Sequence, residues 1–173
     1  MHHRYLLAAL AASALAACGT TAPSQTRADA KLGALGNSGV SGNIGFTQQP
    51  GQKVMLHAVV RGLAPNSEHG FHIHERGDCA DNGNAAGGHF NPRHTNHGKY
   101  DAAMHHLGDL PSLKADASGV AIVDMESSEL SLAGPESIIG QALIVHTSPD
   151  DYMTQPTGNS GARIACAVIE SRQ

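Results

Sequence analysis

Histidine is the residue type whose placement in this chain could do chemistry. There are 12 among 173 residues, and imidazole is the commonest protein ligand for metals. His72 and His74 stand two apart in Gly70-Phe71-His72-Ile73-His74, a stretch that reads as a β-strand. Their rings therefore leave the same face, with Cα atoms about 6.5 Å apart, which suits two ligands on one ion. His89 follows in Gly87-Gly88-His89-Phe90-Asn91-Pro92, then His97, then His106 with Asp109 three residues on, and His146 ends a later apolar run. These types allow two kinds of site. An all-imidazole set suits copper in a tetragonal nitrogen field. Three imidazoles with one aspartate make a closed four-ligand zinc site. Spacing alone leaves open which histidine serves which ion.

The elements that must position these side chains read as short strands. Val54–Val60, Gly70–His74, Val120–Met125, Gln141–His146 and Arg163–Ile169 are rich in β-branched or alternating apolar residues, and Val40–Thr47 is a weaker, glycine-rich candidate. Gly, Pro, Asn and Asp separate them, the pattern of an all-β sandwich or barrel. Residues 75–111 and 147–162 break that rhythm: both are long, polar and rich in turn residues, yet they carry most of the candidate ligands. Long loops in compact domains are usually functional or disordered, and ligands spread through the first argue for order imposed by metal.

Composition narrows the function further. With no Trp and 3% aromatic residues, the core must be built from Val, Ile, Leu and Ala. The formal net charge is −4, and without a basic stripe or an aromatic platform nucleic-acid binding is excluded. The apolar run from Tyr5 to Ala17 is too short to span a bilayer. It ends in Leu15-Ala16-Ala17-Cys18, which resembles a lipobox, so residues 1–17 read as a lipoprotein signal peptide and Cys18 as the lipidated residue. Gly19 in place of Asp, by resemblance to enteric lipoprotein sorting signals, favours the outer membrane. Residues 18–37, polar and rich in small residues, read as the lipidated cysteine and a flexible tether, and 38–173 as the folded domain. The expected location is the periplasmic side of a bacterial membrane. Cys79 and Cys166 remain as an even pair in an oxidising compartment, either a disulfide or two buried thiols.

Taken together, the motifs closely resemble the Cu/Zn superoxide dismutase family. The matching pieces are Gly70-Phe71-His72-Ile73-His74, Gly88-His89-Phe90-Asn91-Pro92, His97-Gly98, His106-Leu107-Gly108-Asp109-Leu110, Val145-His146, Asp150-Asp151 and Gly158-Asn159-Ser160-Gly161-Ala162-Arg163-Ile164-Ala165-Cys166. The resemblance implies an eight-stranded Greek-key β-sandwich, or flattened barrel, with two long functional loops. It implies one copper per subunit on His72, His74, His89 and His146, and one zinc per subunit on His89, His97, His106 and Asp109, with His89 bridging. Asp150 would join the unused ring nitrogens of His72 and His97. Cys79 and Cys166 would form the intrasubunit disulfide, and Arg163 would attract and orient superoxide beside copper, with Thr157 at the channel mouth.

The activity implied is dismutation of superoxide to oxygen and hydrogen peroxide, with His89 and Arg163 as the catalytic residues. The rival reading is an exported protein that binds or buffers copper and zinc without turnover. A zinc hydrolase would need an open coordination position and a neighbouring base, and no spare carboxylate pattern supplies one. The resemblance also implies that His69 ties loop to barrel by hydrogen bonds. His57, His94 and His105 have no assigned role, and homodimer and monomer both stay open.

Overall fold

The computed structural model describes residues 24–172; the apolar leader and Cys18 lie outside the described residues. Ten strands follow in chain order: β1 (Thr26–Ala34), β2 (Ser41–Gln48), β3 (Val54–Arg61), β4 (Glu68–His69), β5 (Phe71–His74), β6 (Leu113–Lys114), β7 (Ala121–Ser127), β8 (Ala142–His146), β9 (Arg163–Val168) and β10 (Glu170–Arg172). Helix among the described residues is confined to one 3-10 turn, Asn84–Ala86.

The main sheet is antiparallel and runs β5-β8-β9-β1-β2-β3-β7, with β10 also pairing β1; β4 and β6 form a separate pair. The sheet curls on itself. Apolar side chains of β1 to β3 (Ala28, Leu32, Ile44, Phe46, Leu56, Val60) share one core with Phe71 and Ile73 of β5, Leu143 and Val145 of β8, and Ala165 of β9. This is the all-β sandwich that the strand pattern predicts.

The sequence reading places residues 18–37 in a tether, and here the structure differs. Thr26–Ala34 is β1, a central strand paired with β2 from Thr26↔Gln48 to Leu32↔Gly42 and with β9 at Gly33↔Cys166. Ala28, Ala30 and Leu32 are buried while Arg27, Asp29 and Lys31 face outward. The alternation is that of a strand, but two of its three inward residues are alanines, whose low hydrophobicity and poor strand propensity hide the signal.

β5 and β8 are buried at every residue. One face of β8 meets the main core. On its other face Ala142 and Ile144 pack with Ala86 and Cys166, and Leu35 and Cys79 close over them. Loops therefore cover the outer face of the β5-β8-β9 end of the sheet, and the candidate ligands lie under that cover.

Candidate metal centre

Strand alternation places the first ligands. Phe71 and Ile73 of β5 point into the core, so His72 and His74 point to the loop-covered face. The 75–111 loop then folds back along β5. His74 bridges to His89 and His72 to Asp109, held by Phe90 N–H on Ile73 C=O and Ile73 N–H on Gly108 C=O, both 2.8 Å. Backbone pairing thus sets His89 and Asp109 beside the two strand histidines.

Eight ligand positions, with His89 counted in both, fall into two buried groups: His72, His74, His89 and His146, and His89, His97, His106 and Asp109, with candidate ligand atoms within 4.8 Å of one another in each. Neighbouring acceptors fix the tautomers of the first group. His74 Nδ1 donates to Gly87 C=O (3.0 Å) and His146 Nδ1 to Gly161 C=O (3.1 Å), leaving their Nε2 lone pairs 3.4 Å apart and facing each other. His72 Nε2 donates to Asp150 Oδ2 at 2.7 Å, which leaves Nδ1 bare.

In the second group Asp109 divides its oxygens. Oδ2 accepts the backbone N–H groups of His106 (2.8 Å) and Gly98 (3.1 Å). Oδ1 lies 2.8 Å from His89 Nδ1, 3.0 Å from His97 Nδ1 and 3.6 Å from His106 Nδ1. His97 Nδ1 nevertheless has no hydrogen-bond partner, because its approach to Oδ1 lacks the angle for one.

Asp150 ties the two groups together, since its Oδ1 accepts from His97 Nε2 at 2.9 Å while Oδ2 holds His72. Gly158 lets the 147–162 loop come this close: its φ is +63°, and a Cβ there would lie 1.9 Å from Asp150 Oδ1 and 2.5 Å from His97 Nε2. No other residue type fits.

Electrostatics keep the imidazoles of His72, His74 and His146 neutral, the form that binds a metal. Burial, opposed by the Asp150 hydrogen bond, lowers His72 to about 4. Burial and His72 lower His146 to about 3, and burial and His89 hold His74 well below its usual value. At His97 burial opposes the charge, but Asp109 and Asp150 outweigh it and raise the pKa to about 9. Burial would raise Asp109 and Asp150, yet His89 and His97 hold the first, and His72 and His97 the second, well below the usual carboxylate range.

Four ring nitrogens in these groups, His72 Nδ1, His89 Nε2, His97 Nδ1 and His106 Nδ1, are buried without a hydrogen-bond partner. Native proteins leave few such atoms, and leaving one costs about 1–3 kcal/mol. A cation in each group removes the deficit. Nitrogen-only ligands suit copper, and three imidazoles with a carboxylate suit zinc. The residues fit both ions.

Arg163 is brought to the same face by a bulge between β8 and β9. Val145 pairs with Ala165 but His146 pairs with Arg163, so Ile164 is the extra residue. The guanidinium donates to Gly83 C=O and to Gly87 C=O, the latter at 2.5 Å. Those carbonyls belong to the loop that the Cys79–Cys166 disulfide pins to β9. Thr157 lines a cavity of about 400 Å³ with His89, His106, His94, Glu75 and Pro156.

The remaining histidines divide clearly. His69 Nδ1 donates to His146 C=O at 2.7 Å and its Nε2 meets the Ser67 hydroxyl, the tie between loop and barrel that the sequence suggests. His57 is an exposed partner of Asp124 across β3 and β7. His105, with no role legible in the sequence, is buried: Nδ1 donates to His106 C=O at 2.7 Å and Nε2 lies 3.2 Å from Glu129, which also holds Arg93. Sequence spacing misses this support because Glu129 and Arg93 lie on separate loops.

Comparison with known proteins agrees with this geometry. The copper/zinc superoxide dismutase (SODC) family profile matches residues 40–169. The "Superoxide dismutase [Cu-Zn]" of Paramecium bursaria Chlorella virus 1 is 41% identical over 136 residues, 75% of this chain and 72% of that protein. The "Extracellular superoxide dismutase [Cu-Zn]" of Caenorhabditis elegans is 40% identical over 134 residues, 74% of this chain and 60% of that longer protein. Two histidine groups sharing one imidazole, on a curled antiparallel sheet matched along most of its length, are those of a chain that belongs to the copper/zinc superoxide dismutase family.

Proposed function

We propose that this protein dismutes superoxide, converting two superoxide anions and two protons to oxygen and hydrogen peroxide. One copper per subunit is held by His72, His74, His89 and His146, and one zinc by His89, His97, His106 and Asp109. The observation that carries the reading is His89: its Nδ1 faces Asp109 at 2.8 Å while its buried Nε2 has no partner. One imidazole thus offers a nitrogen to each group.

When bound, copper supplies the one-electron redox chemistry and zinc a fixed positive charge. The chain supplies the rest. Arg163 holds a positive charge on the face of His146 and draws the anion inward, as a charged cleft can. His89, held at Nδ1 against Asp109, is placed to hold a proton at Nε2 and release it to the reduced oxygen species. His97 and His72, fixed through Asp150, keep the rings around it in one orientation, and Thr157 borders the approach.

The protein is exported to the periplasmic side of a bacterial membrane and lipid-anchored through Cys18; the apolar run and the small residues before Cys18 support this, and Gly19 favours the outer membrane over the inner. Because β1 begins at Thr26, a lipid on Cys18 would hold the domain close to the bilayer surface. A Cys18→Ser precursor is expected to stay unlipidated and leave the membrane fraction; unchanged partition would remove the anchor from the reading.

Metal content measured together with turnover tests the activity. About one copper and one zinc per chain with catalytic removal of superoxide is expected. Full loading with only stoichiometric consumption would support a metal-buffering protein instead.

A further inference from the structure

The side chain of Gln155 makes a reciprocal pair with the backbone of His97. His97 N–H donates to Gln155 Oε1 at 2.8 Å, and Gln155 Nε2 donates to His97 C=O at 2.9 Å. A primary amide paired this way satisfies both backbone groups of one residue, as a neighbouring strand would. His97 lies in a stretch without strand or helix, so no ladder supplies those bonds.

The consequence is geometric. His97 presents Nδ1 toward Asp109 Oδ1 (3.0 Å) and Nε2 toward Asp150 Oδ1 (2.9 Å). Asp150 orients the ring but leaves the backbone that carries it free to shift. Gln155, five residues further along the same loop, closes that freedom. The 147–162 loop therefore grips His97 at the ring through Asp150 and at the peptide through Gln155, while Gly158 allows the close approach.

We propose that Gln155 is a positioning residue for the zinc half of the centre, acting through the backbone of His97; this rests on the reading that His89, His97, His106 and Asp109 hold zinc. Groups that orient a metal ligand typically change affinity about 10–100-fold. Gln155→Ala removes both bonds. Gln155→Glu keeps an acceptor for His97 N–H but sets a second oxygen against His97 C=O, so the near-isosteric acid does not rescue. Lys99→Ala, which removes only an exposed contact with Asp101 in the same loop as His97, is the control for general loosening.

The experiment uses the copper- and zinc-loaded protein. Zinc release to an excess of chelator is timed with copper content followed in parallel, and the visible bands of Co(II) placed in the zinc position report ligand geometry. Zinc release is expected about tenfold faster in Gln155→Ala and at least as fast in Gln155→Glu, with altered Co(II) bands, while Lys99→Ala behaves as wild type. Gln155→Glu decides the outcome if Gln155→Ala does not fold. Release and Co(II) bands unchanged in both Gln155 variants, or equal acceleration in Lys99→Ala, overturn the role of Gln155 alone. A wild-type protein that takes up neither zinc nor Co(II) overturns the ligand assignment, and this proposal with it.

Discussion

Arg163 stands opposite His146 across the β8–β9 ladder because Ile164 is bulged out of it. In a regular ladder, Ile164 would pair with His146 on the loop-covered face and Arg163 would turn to the core side. Bulges commonly re-aim a side chain beside an active site. Here the bulge sets a cation on the same face as a ligand histidine, and the guanidinium is then fixed by the carbonyls of Gly83 and Gly87.

Arg163 should therefore have separable effects. Arg163→Ala is expected to slow superoxide removal at low salt by about tenfold or more and to flatten its dependence on ionic strength. It should also lower stability by about 1–3 kcal/mol, since two carbonyls lose their donor. Arg163→Lys keeps the charge but not the two-pronged geometry, so it should recover rate better than stability. Pulse radiolysis across a salt series, with urea unfolding, checks both.

Asp150→Asn probes the link between the two groups. The carboxylate accepts from His72 and His97 at once, whereas an amide offers one oxygen and sets an N–H against the other ring's N–H. Loss of metal affinity by about 10–100-fold is expected. Equilibrium competition with a chelator measures it, and wild-type affinity would contradict the role.

The metal-free protein should show an asymmetric pH dependence of stability. His72 and His146, lowered chiefly by burial to about 4 and about 3, bind fewer protons folded than unfolded between those values and 6.5. Their neutral burial is therefore tolerated above 6.5, and stability is lost as pH falls through that window. His97 has the opposite sign. Burial opposes its charge but Asp109 and Asp150 hold it at about 9, so its contribution is complete below 6.5 and is lost as pH rises to about 9. Urea midpoints should peak near pH 6.5, the ordinary imidazole value, and fall more steeply on the acid side. A midpoint that keeps rising to pH 9 would contradict the assignment. Zinc should flatten the alkaline limb, because it takes the place of the proton on His97.

The Cys79–Cys166 bridge spans 87 residues of chain. Cys79→Ser should cost about 2–5 kcal/mol in unfolding free energy. It should also reduce activity in the folded protein, because the loop it pins carries the carbonyls that hold Arg163. Activity at a temperature where the variant remains folded separates the two effects.

Local pattern along the chain was enough to place the strand-borne part of this protein. The alternation in Phe71-His72-Ile73-His74 sends two histidines to one face, because strand periodicity is local. The motif series from His72 to Arg163 identified the family, and with it the residues that the structure gathers into two groups. β1 was not legible, since Ala28 and Ala30 mark its inward face weakly, and pairing with β2 and β9 recruits it.

Packing settled those supports that no motif carries. The bulge at Ile164 is a property of register between two strands, not of either sequence. His105 with Glu129, and Gln155 with His97, are contacts across 24 and 58 residues of chain. Such pairs leave no periodic trace, because their spacing is set by how two loops fold against each other. The ligands, and with them Asp150, were legible in local motifs; the bulge, His105 and Gln155 were written only in packing.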